Sequence, residues 1–184
     1  MTGVLILDKP ADFTSFDAVA VCRRLCHERK IGHTGTLDPM ATGVLPLLLG
    51  KATRAASLLE DTDKEYEAGF RLGMATDTED STGKVLETSE TPVSREVLEN
   101  LLSRFRGEIM QVPPMYSAVS KDGKRLYELA RKGIEVEREA RPVTIFKLEL
   151  TEYNEESREG KLVVSCSKGT YIRTLIADLA KAAG

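Results

Sequence analysis

The spacing of apolar residues changes repeatedly along this chain between the period of a strand and that of a helix, and this feature constrains the fold most. Residues alternate from Glu65 to Leu72, whereas a helical stripe of apolar residues runs from Val97 to Phe105. Val143–Tyr153 and Lys161–Ser167 predict two strands around a polar turn, and a final helix is predicted from Ile172 to Gly184. Because no regular strand–helix–strand repeat is present, the sequence predicts an α+β fold with a largely antiparallel sheet.

Residues 3–49 predict two strands, one helix and a loop. Gly3–Leu7 is a short apolar run typical of a buried strand, and Thr14–Arg29 opens with a capping box that predicts a helix. Residues 32–43 are rich in Gly and Thr, which indicates a loop. Val44–Leu49 predicts a second buried strand, which Pro46 is expected to restrict to an edge or a bulge.

The composition is that of a globular protein. Of the 184 residues, 41% are hydrophobic and 30% are charged, which is typical of a soluble domain with its own core. No apolar run approaches the roughly 20 residues of a membrane span. The first residues also lack the basic region and cleavage site of a secretion signal. These observations predict a cytoplasmic protein with no membrane association.

The cysteines predict neither disulfides nor a metal centre. An odd number of them, at positions 22, 26 and 166, fits a reducing compartment. Cys22 and Cys26, with His27 and His33, are the residues from which a metal site would be built, but their spacing matches no usual zinc pattern. Because the two cysteines lie one helical turn apart beside apolar residues, the buried face of a helix is the favoured interpretation.

The charge is unevenly distributed. The net charge of -3 argues weakly against a nucleic-acid partner. Residues 60–99 are strongly acidic, whereas bases outnumber acids in residues 22–33 and 113–133. Such segments are more often solvated surfaces. The alternative interpretation is a basic, nucleic-acid-binding face on an acidic protein.

Glycine and threonine surround a single acid, Asp38, in the segment from Gly32 to Gly43. The glycines let the backbone turn sharply or approach a ligand closely. From local chemistry alone, the simpler interpretation is that Asp38 caps a helix whose first residue is Pro39. The alternative is that the loop presents the carboxylate for chemistry.

A resemblance favours the second interpretation. The segment from Gly32 to Pro46, Gly-His-Thr-Gly-Thr-Leu-Asp-Pro-Met-Ala-Thr-Gly-Val-Leu-Pro, resembles the active-site motif of the TruB family of pseudouridine synthases. Five other segments resemble motifs of this family, in the family's order: Gly3–Pro10, Asp63–Tyr66, Thr76–Asp80, Val112–Ala118 and Ser167–Thr174. The resemblance covers nearly the whole chain, and its details are those of bacterial members.

The resemblance implies a fold and a domain organisation. The expected architecture is the pseudouridine synthase fold, a mixed and largely antiparallel sheet flanked by helices, with the active-site cleft across the sheet. Residues 1–184 are expected to form the catalytic domain, with an RNA-gripping insertion near 113–141; the local pattern predicts irregular structure over residues 108–123. Family members continue past Gly184 through a strand that contacts the base and usually a small RNA-binding domain. This catalytic domain is therefore expected to be incomplete at its C-terminus and to lack that RNA-binding domain.

The reaction that the resemblance implies needs no cofactor. The family isomerises uridine to pseudouridine at position 55, in the T loop of tRNA, by detaching the base at N1, turning it and rejoining it through C5. No atom is gained or lost, so no redox partner, nucleotide or metal is expected. Asp38 is the implied nucleophile. A carboxylate attacks either C1′ of the ribose, as in glycosidases, or C6 of the base, and the sequence leaves both open.

Four further residues acquire roles from the resemblance. Arg173 is expected to pair with Asp38 and keep it ionised. Tyr66 is expected to stack on the uracil and to help remove the C5 proton, and Tyr171 to line the base pocket. His33 is expected to fill the space that the flipped base leaves. Each residue also has a purely structural interpretation. Arg173 would be a surface arginine and Tyr66 a core tyrosine. Tyr171 would be an aromatic residue at the start of a helix, and His33 would make a hydrogen bond within a loop.

Supporting residues and partners follow from the same resemblance. Lys9 and Asp80 are expected to support the site. Basic residues of the insertion are expected to meet RNA phosphates: Lys121, Lys124, Arg125, Arg131 and Lys132. The expected partner is the T stem-loop of tRNA, bound by a monomer without an obligate protein partner. Two alternatives stay open, a pseudouridylase that depends on a guide RNA and a non-catalytic tRNA-binding or folding module.

Overall fold

The computed structural model describes residues 1–59, 62–121 and 123–184, with Lys121 described through its backbone only. The chain divides into two compact units, Met1–Thr62 and Asp63–Gly184. Each unit is built on an antiparallel sheet with helices, and within the described ranges all strand pairs are antiparallel. The predicted α+β class is therefore confirmed.

The first unit consists of a three-stranded sheet and a helix packed on it. Its elements are β1 (Gly3–Lys9), α1 (Ser15–Leu25), β2 (Ile31–His33), β3 (Gly43–Leu49), a 3₁₀ helix (Gly50–Ala55) and α2 (Ala56–Leu59). The strand order is β1-β3-β2. Ala18, Val19 and Cys22 of α1 pack with Ile31 and with alternate residues of β3 in one apolar core. Cys22 thus lies on the buried face of a helix, as the sequence predicts.

Helix α1 begins where the sequence predicts and ends earlier. The Thr14 hydroxyl accepts a hydrogen bond from the Asp17 amide at 3.0 Å, and the Asp17 carboxylate accepts one from the Thr14 amide at 2.9 Å. This reciprocal pair is the predicted capping box. The helix ends at Leu25 rather than Arg29, because His27 adopts a left-handed conformation with φ of 48° that a helix does not accommodate.

Two expectations for the first sheet are wrong. Pro46 lies in β3, the central strand, opposite Ile6 of β1. The Pro46 carbonyl faces the β2 side and accepts from the Thr34 amide. The nitrogen of Pro46, which carries no hydrogen, faces the same side. Because β2 has already ended at His33, the β2–β3 ladder loses no hydrogen bond there. Strand β1 is also not buried, because the side chains of Val4 and Ile6 are 59% and 61% exposed.

The second unit consists of a four-stranded sheet, two small hairpins and three helices. Its elements are β4 (Lys64–Arg71), β5 (Met74–Thr76), β6 (Val85–Thr88), α3 (Arg95–Leu102), a 3₁₀ turn (Ser103–Phe105), β7 (Gly107–Gln111), β8 (Ser120–Lys121), β9 (Lys124–Arg125), α4 (Leu126–Ala130), β10 (Arg141–Asn154), β11 (Glu159–Cys166) and α5 (Ile172–Ala183). The order in the large sheet is β4-β11-β10-β7, and β5-β6 and β8-β9 form hairpins.

The core of the second unit lies between the large sheet and the helices α3 and α5. Leu98 and Leu102 of α3 and Leu175 and Leu179 of α5 are at most 2% exposed and pack with apolar residues of β10 and β11. The expectation of irregular structure over residues 108–123 is wrong at its start, because β7 pairs with the first residues of β10. The five residues of β7 include too few apolar side chains to indicate a strand. Pairing with β10, which is distant in sequence, stabilises the strand instead. Among the described helices, none is both long and apolar enough to cross a membrane.

Candidate active site

Asp38 lies in a tight turn rather than at the start of a helix. The Ala41 amide donates to the Asp38 carbonyl at 3.0 Å, and the chain then enters β3 at Gly43. The capping interpretation of Asp38 is therefore wrong, since no helix follows Pro39 in this described segment. Asp38 itself is half-buried.

A buried lysine, Lys9, holds this turn through hydrogen bonds. The Lys9 side chain is fully buried, and its ammonium donates to the carbonyls of Pro10, Phe13 and Pro39 at 2.8, 2.6 and 3.1 Å. These bonds use all three of its protons and tie the end of β1 to the residue that follows Asp38. Burial lowers the pKa of the Lys9 ammonium below its ordinary value, and the negative charges of Asp12 and Asp38 oppose that shift.

A serine holds the other side of the turn. The buried Ser15 hydroxyl accepts from the Leu37 amide at 2.9 Å and donates to the Leu37 carbonyl at 3.3 Å. The residue before Asp38 is thereby attached to the first turn of α1. Sequence reasoning missed Ser15, because its only local signal is its place after the cap Thr14.

His33 is the last residue of β2 and is half-buried. Its Nδ1 atom is buried, and no described atom hydrogen-bonds to it. The imidazole lines an open cleft of about 270 Å³ between α1 and β2, together with Phe16 and Arg23 of the helix. The predicted loop residue is thus a strand residue that faces a cleft.

In the second unit, Arg173 is buried in α5 and is not a surface residue. Only 9% of its side chain is exposed. Its Nη1 donates to the Thr78 carbonyl at 3.1 Å and its Nη2 to the Tyr116 carbonyl at 2.7 Å, while Nη1 lies 4.0 Å from the Asp80 carboxylate. Arg173 therefore lies beside Asp80, and the surface-arginine interpretation is wrong.

Asp80 organises the loop between β5 and β6, which contacts Arg173. Its carboxylate accepts from the Thr78 hydroxyl and from the amide and hydroxyl of Thr82, at 2.7, 2.8 and 2.6 Å. Burial raises the pKa of this carboxyl, but the hydrogen bonds from Thr82 and Thr78 and the charge of Arg173 outweigh burial, and the pKa is lowered. Asp80 therefore remains ionised beside the guanidinium.

Tyr171 lies at the N-cap position of α5, as predicted, and a buried glutamine fixes its backbone. The Gln111 amide group donates to the Tyr171 carbonyl at 3.1 Å and accepts from the Tyr171 amide at 2.8 Å. The Arg173 guanidinium lies over the Tyr171 ring, 5.8 Å from its centre. Gln111 was missed because its single signal is its place at the end of β7, a strand that the sequence does not indicate.

Tyr66 lies on β4 opposite Val164 of β11 and packs partly buried against the core of the second unit. The structure thus places Tyr66, Tyr171 and Arg173 in one unit, and Asp38 and His33 in the other. Their assembly into one site stays a prediction.

Four of the basic residues expected to meet RNA phosphates are exposed: Lys124, Arg125, Arg131 and Lys132. Lys124 and Arg125 form β9, and Arg131 and Lys132 follow α4, with the Arg131 guanidinium 5.4 Å from the centre of the Tyr127 ring. The side chain of Lys121 lies outside the described residues. Among described side chains there is no group of three or more His, Cys, Asp or Glu arranged to hold a metal ion.

Comparisons with known proteins agree on one family. Residues 23–172 match the family model described as TruB family pseudouridylate synthase, N-terminal domain. A protein of Azoarcus sp. (strain BH72) named tRNA pseudouridine synthase B is 57% identical over 99% of this chain and 60% of its own length. A protein of the same name from Pseudomonas putida is 53% identical over the whole of this chain and 60% of its own length.

Solved structures agree in fold. A Cbf5–Nop10–Gar1 complex contains a chain that superposes with a TM-score of 0.75 and 32% identity, over 99% of this chain and 44% of that chain. An H/ACA RNP bound to a substrate RNA containing 2′-deoxyuridine gives a TM-score of 0.70 and 29% identity, over 99% of this chain and 43% of that chain.

These matches and the α+β architecture define a protein with the pseudouridine synthase fold. More narrowly, the chain belongs to the TruB family of pseudouridylate synthases. It spans about 60% of the length of the curated relatives that it matches.

Proposed function

We propose that this protein isomerises uridine to pseudouridine in tRNA, at position 55 of the T loop, and that it does so in the cytoplasm. The observation that carries the proposal is the 57% identity, along 99% of the chain, to a protein named tRNA pseudouridine synthase B. The Asp38 turn supports it, because Lys9 and Ser15 hold both sides of a carboxylate that caps no helix. Such a rigid support is typical of a catalytic group.

In the proposed reaction, one glycosidic bond of the uridine is replaced by another. The N1–C1′ bond of uridine breaks and a C5–C1′ bond forms, while a proton leaves C5 and a proton is taken up at N1. The Asp38 carboxylate is the nucleophile, either at C1′ or at C6. Because uracil leaves as a delocalised anion, a single carboxylate suffices, in contrast to the paired acids of most glycosidases.

The remaining residues receive roles that are likewise proposed. Tyr66 stacks on the uracil, and its phenol helps remove the C5 proton. Tyr171 lines the base pocket, with its backbone held by Gln111. Arg173 pairs with Asp38, and its guanidinium is already oriented by the carbonyls of Thr78 and Tyr116.

Conversion of a T-loop hairpin tests the proposal. Wild-type protein is expected to form pseudouridine, whereas Asp38→Asn is expected to form none, because the nearly isosteric amide cannot attack carbon. Circular dichroism of both proteins is expected to be the same. Near-wild-type turnover by Asp38→Asn would remove Asp38 from the mechanism, and RNA binding without turnover by the wild type would favour the non-catalytic binding module.

A further inference from the structure

The cleft between α1 and β2 of the first unit carries features that none of the roles proposed above explains. Its walls are formed by Phe16, Val19 and Arg23, which share one face of α1, and by the β2 segment 31–33. The cleft has a volume of about 270 Å³ and opens to solvent.

An aromatic ring and a guanidinium meet at this cleft. The Arg23 guanidinium lies 5.5 Å from the centre of the Phe16 ring, and its Nη2 donates to the Ile31 carbonyl at 3.0 Å. That hydrogen bond orients the side chain across the cleft. Phe16 is 60% exposed, so much of this large aromatic side chain lies in water beside the guanidinium.

The charge around the cleft favours an anionic ligand. Residues 22–33 carry Arg23, Arg24, Arg29 and Lys30 against one acid. That acid, Glu28, is paired with the N-terminal ammonium at 2.8 Å and also accepts from the Lys30 amide. On α1 the nearby Asp17 is engaged in the capping box.

We propose that this cleft, defined by Phe16, Arg23 and His33, binds a nucleotide of the substrate RNA that lies next to the flipped uridine. The proposal rests on the proposed function, because His33 is the residue assigned to the gap left by the flipped base. RNA bases that leave a stack rest on aromatic rings or arginine planes, and Phe16 and Arg23 supply both. Arg23 also meets the phosphate of the same nucleotide.

Matched variants separate stacking from charge. Phe16→Tyr is expected to bind a T-loop hairpin as the wild type does, whereas Phe16→Leu and Phe16→Ala are expected to weaken binding about fivefold or more with an unchanged salt dependence. Arg23→Gln is expected to weaken binding and to flatten the slope of log affinity against log salt by about one unit. Arg24→Gln removes the same charge from the exposed neighbouring position and is expected to leave affinity nearly unchanged.

An abasic scan of the hairpin locates the nucleotide. Removing the base next to the target uridine is expected to weaken wild-type binding, and to have no further effect on Phe16→Ala, because both changes remove one stacking contact. Thermal melting of each variant checks that the first unit stays folded.

The outcomes are distinguishable. If the wild type converts the hairpin but Phe16→Ala and Arg23→Gln bind as it does, the cleft does not bind RNA and only this inference fails. If Arg23→Gln and Arg24→Gln weaken binding equally, the cleft provides general charge rather than a site, and the inference fails too. If the wild type neither binds nor converts the hairpin, the proposed function fails and this inference fails with it.

Discussion

Arg173 shows how one side chain joins separate parts of the second unit. Its two terminal nitrogens bond to the carbonyls of Thr78 and Tyr116, which belong to segments far apart in sequence. A lysine carries the same charge but has no planar fork with which to make both contacts.

We therefore expect Arg173→Lys to lose much more turnover than RNA affinity. Turnover and hairpin binding would be measured on the same preparation, after circular dichroism has established that the variant is folded. Equal proportional losses in both would instead identify Arg173 as a phosphate contact.

Gln111 is a second residue whose importance only its contacts reveal. It is 2% exposed and exchanges two hydrogen bonds with the backbone of Tyr171. Replacing it with Leu leaves the Tyr171 N–H without this partner and removes one of two hydrogen bonds to the Tyr171 carbonyl, which still accepts from the Leu175 amide at 3.0 Å. We therefore expect Gln111→Leu to lower the free energy of unfolding by about 1–3 kcal/mol.

Urea denaturation followed by circular dichroism measures this change. Gln111→Glu is the informative comparison, because a carboxylate accepts from the Tyr171 amide but cannot donate to its carbonyl. An unaltered unfolding midpoint in both variants would show that Tyr171 is held by other contacts.

At the scale of elements, the acidic loop between β5 and β6 depends on one ionised group. The pKa of Asp80 is lowered in the folded protein: burial alone would raise it, but the hydrogen bonds from Thr82 and Thr78 and the charge of Arg173 outweigh that effect. A group whose folded pKa is lower than its unfolded value of about 3.9 stabilises the protein fully above that pH. The stabilisation is lost as the pH falls through the lower, folded value.

We accordingly expect Asp80→Asn to be less stable than the wild type near neutral pH, and the difference to shrink as the pH is lowered to about 2. Urea midpoints of both proteins across this range test it. A difference that stayed constant with pH would mean that the Asp80 charge contributes nothing to stability.

The short β8-β9 hairpin presents basic side chains to solvent. Lys124 and Arg125 are exposed, and each phosphate contact that an RNA makes releases about one counterion. Replacing both by Gln is therefore expected to flatten the slope of log affinity against log salt by up to about two units.

A matched control removes two charges elsewhere in the same unit. Lys147 on β10 is exposed and Lys161 on β11 is half-exposed, and they pair with Glu149 and Glu152 respectively. Their replacement by Gln is therefore expected to leave the slope nearly unchanged. Equal slopes for the two double variants would show that the β8-β9 hairpin makes no phosphate contacts.

For the molecule as a whole, the comparisons give two groups of relatives that differ in their identity to this chain. The relatives named tRNA pseudouridine synthase B are 53–57% identical to this chain, whereas the solved neighbours in complexes with Nop10 and Gar1 or in an H/ACA RNP are 29–32% identical. The higher identity to the first group supports the proposal that tRNA is the substrate.

We expect a bare tRNA transcript and an isolated T-loop hairpin to be converted without added RNA or protein, since the proposed site reads a flipped base and the shape of a loop. Pseudouridine formation would be measured with purified components. Conversion that required a further RNA or protein would support the guide-dependent alternative.

The local sequence predicted much of the fold. The capping box at Thr14, the alternation in β4 and the apolar stripes of α3 and α5 all appear in the structure where the residues predict them. These features depend on side chains a few residues apart, and so they can be read along the chain. The motif around Asp38 identified the family for the same reason.

Tertiary structure decided the features that depend on distant partners. Strand β7 exists because β10 pairs with it, Pro46 is tolerated in a central strand because β2 ends beside it, and Asp38 occupies a turn attached to Lys9 and Ser15. Gln111 holds Tyr171 from 60 residues away. A hydrogen bond between residues so far apart leaves no periodic trace in the sequence, because folding alone brings its donor and acceptor together.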